Sequence, residues 1–155
     1  MIKDSGERRT FDTGAVRDMQ EGKGRCDLMP LNVVARLLEV RTGDYIIKAI
    51  AGFTEKKDTK CLYAALLSFA HLAFRGQVET MILETAIHFE QGAKKYGENN
   101  WQKGLPVNCY VDSALRHYLK WHRGDKDEPH HRAFVWNIMC CIWEVDHHEN
   151  KTHQD

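Results

Sequence analysis

The sequence predicts an all-α bundle of about five helices behind an extended N-terminal arm, and three observations carry that reading. Apolar residues recur at helical spacing in several separate stretches, glycine or proline marks where the stretches end, and no run is long enough in strict alternation to support a sheet. At 155 residues the chain is expected to form one domain with one core. Its expected parts are an arm (1–30), a helical part that carries an insertion (31–78), core helices (79–146) and a polar tail (147–155).

The arm comes first. Residues 1–30 hold charges and the glycines Gly6, Gly14, Gly22 and Gly24 without sustained periodicity, and end at Pro30, as an extended arm or loop would. Over 31–40, Leu31, Val34 and Leu38 share a helical face that should stop near Gly43. Residues 44–50 are compatible with a short strand, and 53–60, FTEKKDTK, read as a solvated connection. Leu62, Leu66, Phe69 and Ala73 then define a core-facing helix with Gly76 as its stop. The next helix has the clearest stripe, Ile82, Ala86, Phe89, Ala93 and Tyr96, and ends at Gly97. A helix near 108–122 puts Ala114, Tyr118 and Trp121 on one face, with Asn108 suited to cap it. After RGDKDEP, Pro129 suits the first turn of a last helix bearing Phe134, Ile138, Cys141 and Val145.

Composition excludes several classes of function. Lys plus Arg and Asp plus Glu both number 22, so no overall field draws the molecule onto nucleic acid or a membrane surface, and recognition of an anion must be local. No stretch approaches the roughly 20 apolar residues of a membrane span, and MIKDSGERRTFD has no apolar signal-peptide core. The expected location is the cytoplasm. Five cysteines without a CxxC pair build neither a disulfide framework nor a zinc set, and only Cys26, in a polar glycine-rich segment, is a candidate for reactivity.

The polar residues of 84–137 carry the candidate chemistry. Glu84, His88, Gln91 and Lys95 fall at i, i+4, i+7 and i+11 and so face one way. A carboxylate and an imidazole one turn apart can hold a metal ion, although an amphipathic helix has a wet face in any case. Asp125, Asp127, Glu128, His130 and His131 crowd the start of the last helix; acids there also complement the helix dipole. Glu128 and His131, at i and i+3, can converge on one ligand. Arg116 and His117 point about 100° apart on their helix. Arg116 either faces the site or pairs with Asp112 one turn earlier, and His117 is either a site residue or a satisfied buried histidine. In GENNWQKG, Trp101 beside Asn99, Asn100 and Lys103 is equipped to stack on and hydrogen-bond a nucleobase, or else to plug the bundle end. In RDMQEGKGR, the cations Arg17, Lys23 and Arg25 are separated by glycines and can wrap phosphates, or form a solvated basic arm; the Walker pattern is absent.

Taken together, FDTGAVRDMQEGKGRCDLMP, FEQGAKKYGENNWQKG and DSALRHYLKWHRGDKDEPHHRAFVWN resemble the phage-associated dATP/dGTP diphosphohydrolase family, a relative of the MazG-like all-α pyrophosphohydrolases. The resemblance covers 7–31 and about 80–145, leaving 40–78 as an insertion. It implies hydrolysis of a purine nucleoside triphosphate to monophosphate and pyrophosphate with Mg²⁺ or Mn²⁺, in a homo-oligomer with sites near subunit interfaces, in the host cytoplasm if the chain is phage-encoded. Glu84, with His88 or Glu90, would supply one metal-binding set and Glu128 with His131 the other, Glu84, Glu128 and His131 being catalytic. Arg17, Lys23, Arg25, Lys95, Tyr96, Asn100, Trp101, Lys103, Arg116 and His117 would contact substrate. His131 stands where the pattern has Asp, and it brings no negative charge to a magnesium site. The competing reading is a binding protein on the same scaffold that sequesters nucleotides or cyclic-nucleotide immune signals without hydrolysis.

Overall fold

A computed structural model describes residues 4, 6–42 and 44–148. The fold is a helical bundle of α1 (Leu31–Thr42), α2 (Ile46–Lys56), α3 (Lys60–Ala73), α4 (Val78–Tyr96), α5 (Val107–Arg123) and α6 (His130–His147). A two-stranded antiparallel hairpin precedes them, β1 (Arg8–Thr10) and β2 (Val16–Asp18), with single 3₁₀ turns at Cys26–Leu28 and Asn100–Lys103. Among the described residues no helix is long and apolar enough to cross a membrane.

α5 and α6 form the main antiparallel pair, α4 packs along α6, and α1, α2 and α3 are successive neighbours. The apolar stripes dictate this arrangement. Phe134, Ile138, Cys141 and Val145 of α6 are all buried, as are Ala114 and Tyr118 of α5, while Trp121 packs at the edge. Phe69 of α3 fits between them, its ring in edge contact with Phe74, Tyr118, Trp121 and Phe134 at centroid distances of 4.6–6.1 Å. Burying a ring of this size contributes roughly 2 kcal/mol, and edge-to-face partners add to it. α5 ends at Gly124, whose φ of 93° lets its amide donate to both Lys120 and Trp121 carbonyls.

Five expectations are corrected. The arm is not irregular throughout: residues 8–18 form the hairpin, whose strands of three residues are too short to show alternation. A two-stranded hairpin is marginal alone in water, and this one is held by docking, with Ala15 fully buried in the core. The 44–50 segment is helical from Ile46, not a strand; Ile46, Ile47 and Ile50 have β-branched side chains, yet all three are buried on one helical face. Phe53, taken as part of a solvated connection, is fully buried in α2. In α4 the buried residues are Met81, Thr85 and His88, whereas Ile82 is 50% exposed. The helix is turned by about one residue from the expected stripe, because apolar side chains lie on two of its sides. Asn108 is inside the first turn of α5, and Pro106 takes the cap position. The expected stop at Gly43 and the tail from 149 lie outside the described residues.

Candidate active site

A cleft of about 520 Å³ opens where the hairpin and the arm after it lie across α4, α5 and α6. Its walls can be traced from the local sequence. In the hairpin, Arg9 and Arg17 are register partners across the ladder, and both line the cleft. Asn100 clamps the hairpin to the bundle: it is 6% exposed, its Oδ1 accepts from Val16 N and its Nδ2 donates to Val16 O, each at 3.0 Å. The turn is seated by Thr13, whose Oγ1 donates to the Gly104 carbonyl at 2.5 Å. A Cβ at Gly104 would meet the Thr13 methyl at 3.2 Å, so the close approach favours glycine there.

Beyond the hairpin, Asp112 anchors the rest of the arm. This carboxylate, 2% exposed as a residue, accepts from Cys26 N at 2.6 Å, Gln20 Nε2 at 3.1 Å and Arg116 Nη2. Arg116 in turn donates to the Lys23 and Gly24 carbonyls at 3.2 and 3.1 Å. Asp18 pairs with Lys95 at 2.8 Å and Arg8 at 3.0 Å, tying β2 to α4. Tyr96, His88 and Trp136 give the cleft an aromatic side.

The lining holds five basic side chains, Arg9, Arg17, Lys23, Arg116 and Lys120, against three acidic ones, Asp18, Asp112 and Glu128, so the cleft is cationic in a chain of zero net charge. Burial lowers the Lys23 ammonium below its ordinary value. His88 is 7% exposed with an unpartnered Nδ1, and burial, assisted by the Arg132 charge, holds its pKa down to about 4. It is a neutral imidazole at physiological pH.

His117 belongs to a chain of three groups. Its Nδ1 is 2.9 Å from His130 Nδ1, and His130 Nε2 is 2.8 Å from Asp127 Oδ1. With the His130 Nε2 proton directed at the carboxylate, His130 Nδ1 accepts from His117 Nδ1–H, which leaves the lone pair on His117 Nε2. Burial and the neighbouring His130 and Arg116 push the His117 pKa well down, so it is neutral and able to bind an electrophile. His117, Glu128 and His130 each offer a ligand atom within 4.8 Å of the others, as do Asp125, Asp127 and His130.

The sequence candidates therefore separate. Arg17, Lys23, His88, Tyr96, Asn100, Arg116, His117 and Glu128 all line the cleft, although the Asn100 amide is spent on Val16. Lys95 borders the site through its Asp18 pair, outside the lining itself. Glu84 and His131 lie outside the lining: the Glu84 carboxylate accepts from Arg132 Nε at 3.0 Å and lies 3.6 Å from His131 Nε2. His131 is lowered by burial and by the Arg132 charge. Glu90 is exposed and pairs with Lys94 at 3.5 Å. Arg25 is paired to Asp27, and Lys103 is exposed outside the lining. Trp101 packs edge-on to Phe89 and Trp143 at 5.7 and 5.0 Å, filling the gap between α4 and α6. Cys26 is half-buried, its thiol pushed up by burial.

Sequence reasoning missed Arg9, Asp18, Lys120, Trp136, Asn137 and the part played by Asp112. Two of these left a readable signal: Asp112 in YVDSAL and Asn137 in VWNIM are polar residues inside largely apolar helical runs, where burial has to be compensated by a partner.

No curated protein and no solved structure matches the chain. The family described as dATP/dGTP diphosphohydrolase, N-terminal, matches residues 53–154, a stretch that includes α3 to α6 and omits the hairpin. The match covers well over half of the chain, and the chain belongs to the dATP/dGTP diphosphohydrolase N-terminal family.

Proposed function

We propose that the chain hydrolyses a purine deoxynucleoside triphosphate, consuming one water and releasing the monophosphate and pyrophosphate. The observation that carries this reading is that five cations share the walls of one cleft with His117 and Glu128, two members of a group able to hold a metal ion. Family membership supplies the reaction class. The aromatic side formed by Tyr96 and Trp136 suits a base, and Lys23, Lys120 and the two hairpin arginines suit the phosphates.

The donor chemistry fits a divalent cation. His117 Nε2 and Glu128 would hold it, while His130 and Asp127 fix the His117 tautomer from behind, as groups behind metal-binding histidines do. Such an ion, when bound, supplies charge neutralisation at the phosphates and a more acidic water. One carboxylate suffices where substrate phosphates complete the coordination, and the imidazole favours Mn²⁺ over Mg²⁺. Glu84 and His131 act in this reading through Arg132 and the packing of α4 on α6, away from the reacting groups.

Self-association is part of the proposal: Leu67 of α3 and Ile82, Leu83 and Ile87 of α4 are 40–70% exposed, an apolar allotment that suits a second copy. The proposed compartment is the cytoplasm.

The test is pyrophosphate release from each deoxynucleoside triphosphate with Mn²⁺ or Mg²⁺, for the native chain and Glu128→Gln. The expected result is turnover of purine substrates, faster with Mn²⁺, and its loss in the variant with the helical content unchanged. Recovery of intact nucleotide from the denatured protein, with no pyrophosphate from any substrate, would overturn hydrolysis in favour of sequestration.

A further inference from the structure

The two arginines of the hairpin stand in an arrangement that the fold alone does not favour. Arg9 and Arg17 face one another in the ladder, so two like charges sit directly opposite, which destabilises a strand pair. Arg17 Nη2 donates to Ser113 Oγ and Asn137 Oδ1, both at 3.0 Å, and its guanidinium lies over the Tyr110 and Trp136 rings at 5.4 and 5.9 Å. All of these partners are neutral. Arg17 Nη1 and Arg9 Nε are shielded from solvent without a hydrogen-bond partner. Among the described residues neither arginine has a carboxylate within 4.0 Å.

Five other cations of the region are paired with a carboxylate: Lys95 and Arg8 with Asp18, Arg116 with Asp112, Arg25 with Asp27 and Arg132 with Glu84. A cation taken out of water without a counter-ion is costly. The cost is met twice over in a hairpin of two three-residue strands, and both side chains border the same cleft.

We propose that the Arg9–Arg17 pair is an anion clamp, for which the polyphosphate chain of the ligand is the missing counter-ion. The inference rests on the phosphate-binding half of the function above and adds that a segment outside the family-matched residues 53–154 supplies the principal anion-binding charge. In the ligand-free protein the pair is a strain that ligand relieves. Arg17 is thus a binding residue whose removal should leave the free protein as stable as before or more so. If its bonds to Ser113 and Asn137 merely held the hairpin in place, removal would lower that stability instead.

The experiment uses the full chain in EDTA, so that no metal is needed, with inorganic tripolyphosphate as the probe and deoxyguanosine as the uncharged control. Calorimetric binding and thermal melting are measured for the native chain, Arg9→Met and Arg17→Met. The expected result is that each substitution weakens tripolyphosphate binding by about tenfold or more, leaves the ligand-free Tm equal or higher, and abolishes the Tm rise that tripolyphosphate gives the native chain. Binding by Arg9→Met within twofold of native overturns the clamp, as does an Arg17→Met chain with a lowered ligand-free Tm and an intact tripolyphosphate response. If Arg17→Met does not fold, Arg9→Met decides. Native turnover of nucleotide with Arg-independent binding would sink the clamp and leave the hydrolase; Arg-dependent binding without any turnover would do the opposite.

Discussion

His88 faces the cleft with its Nδ1 unpartnered, and that placement decides which protonation state the folded chain accepts. The folded protein keeps His88 neutral down to about pH 4, whereas an unfolded chain takes up the proton near 6.5. Between those values the unfolded state binds more protons, so the His88 contribution leaves stability untouched above pH 7 and erodes it as the pH falls. The slope is at most about 1.4 kcal/mol per pH unit. Urea unfolding of the native chain and His88→Gln between pH 4 and 8 checks this: the two profiles should run parallel above pH 7 and the variant's should be flatter below 6. Parallel profiles throughout would remove His88 as the cause. At this scale the sequence was legible where a residue type has few bland uses. Arg17, Lys23, His117 and Glu128 stood out as candidates and line one cleft. Glu84 and His131 stood out equally, but a helical stripe records direction around one helix and says nothing of which neighbour it meets; here that neighbour is Arg132.

The hairpin is the element whose placement depends most on a single side chain. Asn100 completes the outer edge of β2 by giving Val16 the two backbone partners that a third strand would have given. Asn100→Ala should lower stability by about 1–3 kcal/mol, the range for losing such buried bonds, and speed hydrogen exchange at the Val16 amide while the amides of α5 and α6 stay protected. Unchanged exchange at Val16 would mean that Ala15 packing and the Thr13 bond hold the hairpin unaided. α3, α5 and α6 were readable because each buries an apolar stripe of about three turns. The hairpin was not, because nothing within residues 8–18 reveals the amide that docks it from position 100. α2 was misread for a related reason: Ile46, Ile47 and Ile50 have a preference for strands, and burial against α1 and α3 overrides it.

For the molecule as a whole, zero net charge conceals an uneven distribution, with a cationic cleft and, elsewhere, an apolar exposure on α3 and α4. Ile82, which the sequence led one to expect inside the core, is exposed together with Leu83 and Ile87, and a helix apolar on two sides is what a subunit interface requires as well as a fold. Light scattering should give a mass that is a multiple of the chain's 18.0 kDa, reduced to a single chain by Leu83→Glu with Ile87→Glu. A monodisperse native monomer that hydrolyses nucleotide would refute the interface. Composition pointed to local anion recognition, since a balanced total leaves no other kind, but it could not locate a cationic patch, which depends on which cations are already paired.

The bonds that seat Arg17 join it to Ser113 and Asn137, 96 and 120 positions further along the chain. Contacts of that span close late in folding, after the local helix pairs. During synthesis the arm emerges before every partner that seats it, with Asn100, Gly104, Asp112 and Ser113 following and Asn137 of α6 coming last. A translation product interrupted before Asn137 could dock the hairpin on Asn100 and yet would lack the α6 wall of the cleft and the second bond to Arg17.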